Sequence, residues 1–193
     1  GANTTAIAAN TAAIACPTEM VAVGSLCVDK WEAAVYTLAT GGTRLGAASD
    51  DYTTYGCLDD GSNCGATAVF PIYARSETSV IPSTDITLYQ AAQACANVGK
   101  RLPTTTEWQM AAAGTPSGEG DGATGCNSAV ANIDPTAKAS GGAPSCKSSA
   151  GAFDMVGNLW EWVADLETVG TLVTPGGLIT TTDTLIARAL GQD

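Results

Sequence analysis

Seven cysteines, at positions 16, 27, 57, 64, 95, 126 and 146, constrain this chain more than any other feature. None forms a CxxC pair, which argues against a zinc ribbon or a thioredoxin-like motif. Three local pairs suggest themselves: Cys16 with Cys27, Cys57 with Cys64, and Cys126 with Cys146. Each encloses a segment rich in Gly, Ser, Asn or Asp, where a staple stabilises the fold by about 2–4 kcal/mol. The competing reading is seven buried thiols in a reducing compartment. Cysteine at loop positions and a low lysine content favour an oxidising, extracytoplasmic setting, secreted or at the cell surface. Cys95 is left over.

A chain of 193 residues suits one domain, or one domain with an arm, and suffices for a sizeable core. Its net charge of −11 repels phosphate backbones, and the eight Lys and Arg residues form no basic stripe. Nucleic acid and anionic membrane surfaces are therefore poor partners. Apolar runs are short and broken by Thr, Gly or charge, so no membrane insertion is expected. Histidine is absent. That removes a Ser-His-Asp triad, a histidine-bound zinc and a histidine-ligated iron centre from these residues.

Residues 1–15 carry no charge and no aromatic side chain, and read as an N-terminal arm or linker preceding a domain over 16–193. Apolar alternation around a Gly-Ser turn predicts a hairpin within Met20 to Ala33. Thr43 to Asn63 reads as a long surface loop, and Val69 to Tyr73 as a short strand. Two helices are marked by capping boxes: Thr87 with Gln90, and Thr104 with Glu107. In the first, Leu88, Ala91, Ala92 and Cys95 recur at helical spacing, and Gly99 supplies the stop. In the second, Trp108, Ala111 and Ala112 form the apolar stripe before Gly114. Residues 115–150 read as loop. Two helices, short sheets, long loops and staples describe an irregular α+β domain.

The segment Gly151 to Asp165 concentrates two of the four tryptophans and three carboxylates in fifteen residues. An indole must be buried while its N–H finds a partner, so Trp160 and Trp162 suggest a rigid wall around Glu161. Together with Gly99-Lys100-Arg101-Leu102-Pro103-Thr104-Thr105-Thr106-Glu107-Trp108, the run Asp154-Met155-Val156-Gly157-Asn158-Leu159-Trp160-Glu161-Trp162 resembles the formylglycine-generating enzyme (sulfatase-modifying factor) family. Met20-Val21-Ala22-Val23 and Cys27-Val28-Asp29-Lys30-Trp31-Glu32-Ala33 are similar to that family's opening strands. The resemblance spans roughly residues 17 to 165. It implies a fold similar to the C-type lectin fold.

It also implies calcium. Carried over by position, the carbonyls of Val156, Gly157 and Leu159 and the side chain of Glu161 would be ligands, with Asn132 and the Ile133 carbonyl at a second site. Hard oxygens from a turn suit that ion, which takes six to eight of them. The bland alternative leaves Glu161 in a salt bridge or capping a backbone N–H, between core tryptophans.

The chain departs from the family at the catalytic end. The family's enzymes use a copper-binding cysteine pair downstream of the Trp-Glu-Trp motif, and no cysteine follows Cys146 here. Neither a copper nor an iron site can be built from this sequence. The resemblance further implies that the native chain continues beyond Asp193 and that Cys95 pairs there, the alternative being a buried free thiol. Three functions follow as expectations. The first is a secreted, calcium-stabilised binding, display or assembly module without its own catalytic centre, whose partner is a protein, a glycan or copies of itself. The second is an oxidase resembling the formylglycine-generating enzyme, with its cysteines beyond residue 193. The third is a subunit of an extracellular filament or assembly, docking through the arm.

Overall fold

The computed structural model describes residues 14–47, 51–116, 125–128, 137–168, 172–174, 177–179 and 185–190, with side chains as far as Asp165. Most of the expected N-terminal arm, and the candidate calcium ligands Asn132 and Ile133, lie outside the described residues. The expected hairpin is present. Strand β1 (Met20–Val23) pairs antiparallel with β2 (Leu26–Asp29), in register from Met20 opposite Asp29 to Val23 opposite Leu26. Gly24 turns the chain between them at φ +59°, in the left-handed region that glycine enters without penalty.

Strand β3 (Ala33–Tyr36) is the centre of a three-stranded antiparallel sheet. It is flanked by β4 (Arg44–Leu45) and β5 (Tyr73–Ser76). Helix α1 (Asp51–Tyr55) lies between β4 and β5 in the chain. The stretch Thr43 to Asn63 is thus not simply a surface loop: Leu45 and Tyr52 from it are buried in the main core. Its polar composition hid the few apolar side chains that turn inward. The expected strand at Val69 to Tyr73 begins only at Tyr73, because Phe70 and Ile72 bond back to Asn63 and Cys64 instead of entering the sheet.

Helices α2 (Leu88–Ala96) and α3 (Thr105–Ala112) start where their caps place them. Thr87 accepts from the Gln90 N–H while the Gln90 side chain accepts from the Thr87 N–H, and Thr104 and Glu107 repeat the arrangement. Each cap is worth about 1 kcal/mol. The buried side of α2 differs from the expected stripe. Gln90 and Ala94 are its fully buried residues and Ala92 faces outward. Gln90 is drawn inward because its amide also donates to the Cys57 carbonyl at 3.1 Å. On α3 the expected stripe holds: Ala111 is buried, with Trp108 and Ala112 packed against the same cluster.

Toward the C-terminus, β6 (Glu161–Thr168) pairs antiparallel with β9 (Leu185–Leu190), with a register break between Trp162 and Leu166. A separate antiparallel pair joins β7 (Leu172–Thr174) to β8 (Gly177–Ile179). The architecture is α+β, with short antiparallel sheets and a third, brief helix beyond the two expected.

Three disulfides join Cys16 to Cys27, Cys57 to Cys64 and Cys126 to Cys146. The second sits within the main core beside Val35, Leu45, Tyr52, Ile72 and Ala94. The third nucleates a small cluster with Ala143 and Val156. Between these lies a cluster of Val23, Ala111, Ala152 and Met155. Few long elements exist to bury, so the staples supply what a small core cannot.

Candidate functional site

Three segments far apart in the chain converge on one cavity of about 910 Å³. Glu32 arrives in the turn between β2 and β3. That turn is tied down by the Lys30 N–H on the Glu19 carbonyl, 2.9 Å, and by the Phe153 N–H on the Lys30 carbonyl, 2.9 Å. Ser76 completes the tie, accepting from the Trp31 N–H at 3.1 Å. Trp108 arrives on α3. Glu161 opens β6, whose path is held by the Ala164 N–H on the Pro103 carbonyl, 2.8 Å, and by the Trp162 indole on the Ile86 carbonyl, 2.9 Å.

The turn before Glu161 is unusual in its backbone. Asp154, Gly157 and Asn158 all have positive φ, at +59°, +78° and +61°. Gly157 is obligatory on packing grounds too, since a Cβ there would collide with the Asn127 carbonyl oxygen. Asn158 holds the turn in place. Its N–H donates to the Asn127 carbonyl at 3.0 Å, and its side-chain oxygen accepts from the Lys138 N–H at 2.7 Å. Its side-chain nitrogen donates to Glu32 Oε2. The Cys126–Cys146 bridge fixes the neighbouring loop, and the Cys146 carbonyl accepts from the Asp154 N–H at 3.0 Å.

All four tryptophans of the chain line the cavity: Trp31, Trp108, Trp160 and Trp162. Trp160 is the outward one, 61% exposed. Apart from Glu19 at its edge by the start of β1, the acidic lining divides into two sets. Asp29 is neutralised by Lys100 at 2.6 Å, and Glu107 by Arg101, which reaches both its oxygens at 2.6 and 2.7 Å. Glu32 and Glu161 have no cationic partner among the described residues. Glu161 accepts a hydrogen bond from the Trp108 indole N–H. Glu32 Oε2 is served by Asn158 and, at 3.4 Å, by the Ser140 hydroxyl. Glu32 Oε1 is buried with no hydrogen-bond partner among the described residues.

The electrostatic consequence is a strained acid cluster. Burial pushes the Glu161 carboxyl up to about 7; the Trp108 hydrogen bond opposes this and the Asp154 charge adds to it. Burial raises Glu32 well above the usual carboxylate range, and the charge of Glu161 raises it further, against hydrogen bonds from Asn158 and the Leu159 N–H. Asp154 is raised by burial and held down by the Gly141 N–H, which donates to it at 2.7 Å. Buried charges of one sign without a counter-ion are costly.

Such a set of hard oxygens fits a divalent cation. Among the described residues no three Asp, Glu or Cys side chains stand together in ligand geometry. A bound calcium would therefore have to combine carboxylates with main-chain carbonyls. Val156, Gly157 and Leu159, in the turn immediately before Glu161, are the residues whose carbonyls would have to serve, and Glu32 Oε1 is buried nearby without a hydrogen-bond partner among the described residues.

Sequence reasoning singled out Glu161 but passed over Glu32 and Asp154. Asp154 carried a signal, because a carboxylate in a turn of positive φ is a favoured exception to glycine. Glu32 carried none, since its partner Asn158 is 126 residues away.

Capped helices, short antiparallel sheets and an acid-floored, tryptophan-lined cavity define a disulfide-stapled α+β scaffold. Residues 71–183 match the family model of the sulfatase-modifying factor enzyme 1-like domain, more than half of the chain, and the chain belongs to that family. No curated protein and no solved structure matches it.

Proposed function

We propose that this domain is an extracytoplasmic binding or assembly module on the scaffold of its family, stabilised by calcium at the Glu161 turn and lacking a catalytic centre of its own within these residues. The state of the cysteines carries the reading. Six are consumed in disulfides, and Cys95 is enclosed beside the cavity, its thiol pushed up to about 11 by burial and then by the Asp29 charge. A copper–thiolate centre needs two cysteines that ionise readily, and Cys95 alone does not supply them.

The three disulfides are consistent with an oxidising, extracellular environment, and no helix among the described residues is long and apolar enough to cross a membrane. Calcium would neutralise the Glu161 carboxylate and fix the turn that carries Trp160 and Trp162. The partner is a protein or glycan surface, or another copy of the chain. Nucleic acid is disfavoured by the net charge of −11.

The test has two arms. The purified domain, supplied with copper and oxygen, is incubated with cysteine-containing peptides and the products are weighed; no aldehyde should form, and turnover would overturn the non-catalytic reading. In parallel, calcium added to chelator-stripped protein should raise its thermal midpoint. An unchanged midpoint would remove calcium from the proposal.

A further inference from the structure

We propose that the outer edge of β2 is a docking site for an added strand, supplied by residues 1–13 of a second copy of the chain. This rests on the assembly reading above and names the two surfaces that meet. The register of the hairpin fixes which way its main chain points. The Lys30 N–H donates to the Glu19 carbonyl at 2.9 Å, so Glu19 and Lys30 are a hydrogen-bonded pair. In an antiparallel ladder such pairs alternate with non-bonded ones. Val21 with Val28 and Val23 with Leu26 are then bonded pairs, and the main-chain groups of Cys27 and Asp29 turn away from β1. No third strand joins this sheet, and those outward N–H and C=O groups meet no partner among the described residues. The far edge of β1 is not equivalent, because the Met20 N–H is already taken by the Pro17 carbonyl at 3.0 Å.

The cavity lies along that bare edge. All four β2 residues line it, but of β1 only Met20 does. Cys27 and Asp29 are half-buried there. Unpaired main-chain groups in such a place invite strand addition, with the cavity receiving alternate side chains of the incoming segment. Residues 1–13 suit the slot. They carry no charge in a chain of net charge −11, so the acids of the cavity do not repel them. They contain no proline, so each can continue a ladder. Extended, they reach roughly 40 Å, of which a four-residue stretch matches β2 and the rest spans the gap between copies. The Cys16–Cys27 bridge ties the root of the arm to β2 itself, so each copy carries donor and slot side by side.

The experiment follows deuterium exchange of the Cys27 and Asp29 amides by NMR on the full chain, beside its sedimentation mass, over a range of protein concentrations. Both amides should exchange slowly in concentrated protein and lose that protection on dilution, in step with dissociation. Asp29→Pro removes the outward N–H and leaves the β1 ladder whole, so it should abolish association. Asp29→Ala loses the same Lys100 pair but keeps the N–H, and should associate as wild type does. A synthetic peptide of residues 1–15 should break up the wild-type oligomer while both amides stay protected, and its Ile7→Pro form should not. Amides that exchange freely in concentrated protein would overturn the docking, and the assembly reading would survive only if the chain still associates. Protection that ignores concentration would place the strand in the same molecule and overturn the second copy. A chain monomeric throughout would overturn the assembly reading as well. If Asp29→Pro does not fold, the peptide decides: an oligomer indifferent to it refutes the docking.

Discussion

Replacing Glu161 by glutamine should stabilise the calcium-free protein at alkaline pH, against the ordinary expectation that mutating a buried residue weakens a fold. The Glu161 carboxyl is raised from 4.5 to about 7, chiefly by burial. A raised acid binds its proton more tightly in the folded state than in the unfolded one. Stability is therefore highest below the unfolded value, falls as pH climbs through the interval, and reaches its full loss above the folded value. The interval is about 2.5 units, which at 1.36 kcal/mol each is about 3 kcal/mol. Glutamine is uncharged at every pH and keeps an oxygen for the Trp108 indole, a neutral acceptor as the protonated acid is; the stronger bond to the carboxylate is already counted in the value of about 7. The variant should exceed wild type by about 3 kcal/mol at about pH 8 in chelator, and by less than about 1 kcal/mol at about pH 5. Urea unfolding followed by tryptophan fluorescence measures the difference directly. Glu32 and Asp154 are also raised, and the Glu161 charge is one cause of the Glu32 shift, so the variant-minus-wild-type difference reports Glu161 together with the relief it gives Glu32. With calcium present the order should reverse. A glutamine variant less stable than wild type at about pH 8 without calcium would refute the reasoning.

Other outcomes follow from the same structure. Ile72→Ala, at a position with no exposed surface, should cost about 2–5 kcal/mol in chemical unfolding; a loss well below that range would mean the main core collapses around the gap. Thr104→Ala removes the hydroxyl that caps α3 and should lower stability by about 1 kcal/mol, with Thr104→Ser restoring most of it. Gly157→Ala combines a φ of +78° with a clash against Asn127, so it should cost more than the roughly 1 kcal/mol of a left-handed alanine alone. Glu107 is held down to about 2, first by the Arg101 hydrogen bond. Its contribution is present above the ordinary carboxylate range and lost as pH falls toward about 2, so Arg101→Ala should move that acid limb upward in an acid-unfolding titration. Cys95 should alkylate slowly in the folded protein and rapidly once unfolded, because burial and Asp29 both disfavour its thiolate; fast labelling of the native state would contradict its enclosure.

What the sequence disclosed and what it withheld divide along one physical line. Thr87 with Gln90, and Thr104 with Glu107, were readable because a capping box is written within four residues. The Gly-Ser turn and the three short disulfide loops were readable for the same reason. The inward direction of Gln90 was not readable, because it depends on the Cys57 carbonyl, 33 residues away. Leu45 and Tyr52 were lost in a polar stretch, since burial there is decided by the sheet they fold under. At the site, Glu161 stood out through its flanking tryptophans. The acid opposite it did not: nothing near Glu32 in the chain announces that Asn158 will clamp it, or that its other oxygen will be left bare.

The contact between Glu32 and Asn158 also has a meaning in time. The disulfides close over 11, 7 and 20 residues, so each can be made soon after its second cysteine emerges during synthesis. The contact between Glu32 and Asn158 spans 126 residues, and the acid cluster cannot assemble until the Trp-Glu-Trp segment is delivered. A nascent chain would thus become locally cross-linked first and acquire its buried charges last. Whichever ion is on hand when the final turn docks would decide how readily the chain commits to its native shape.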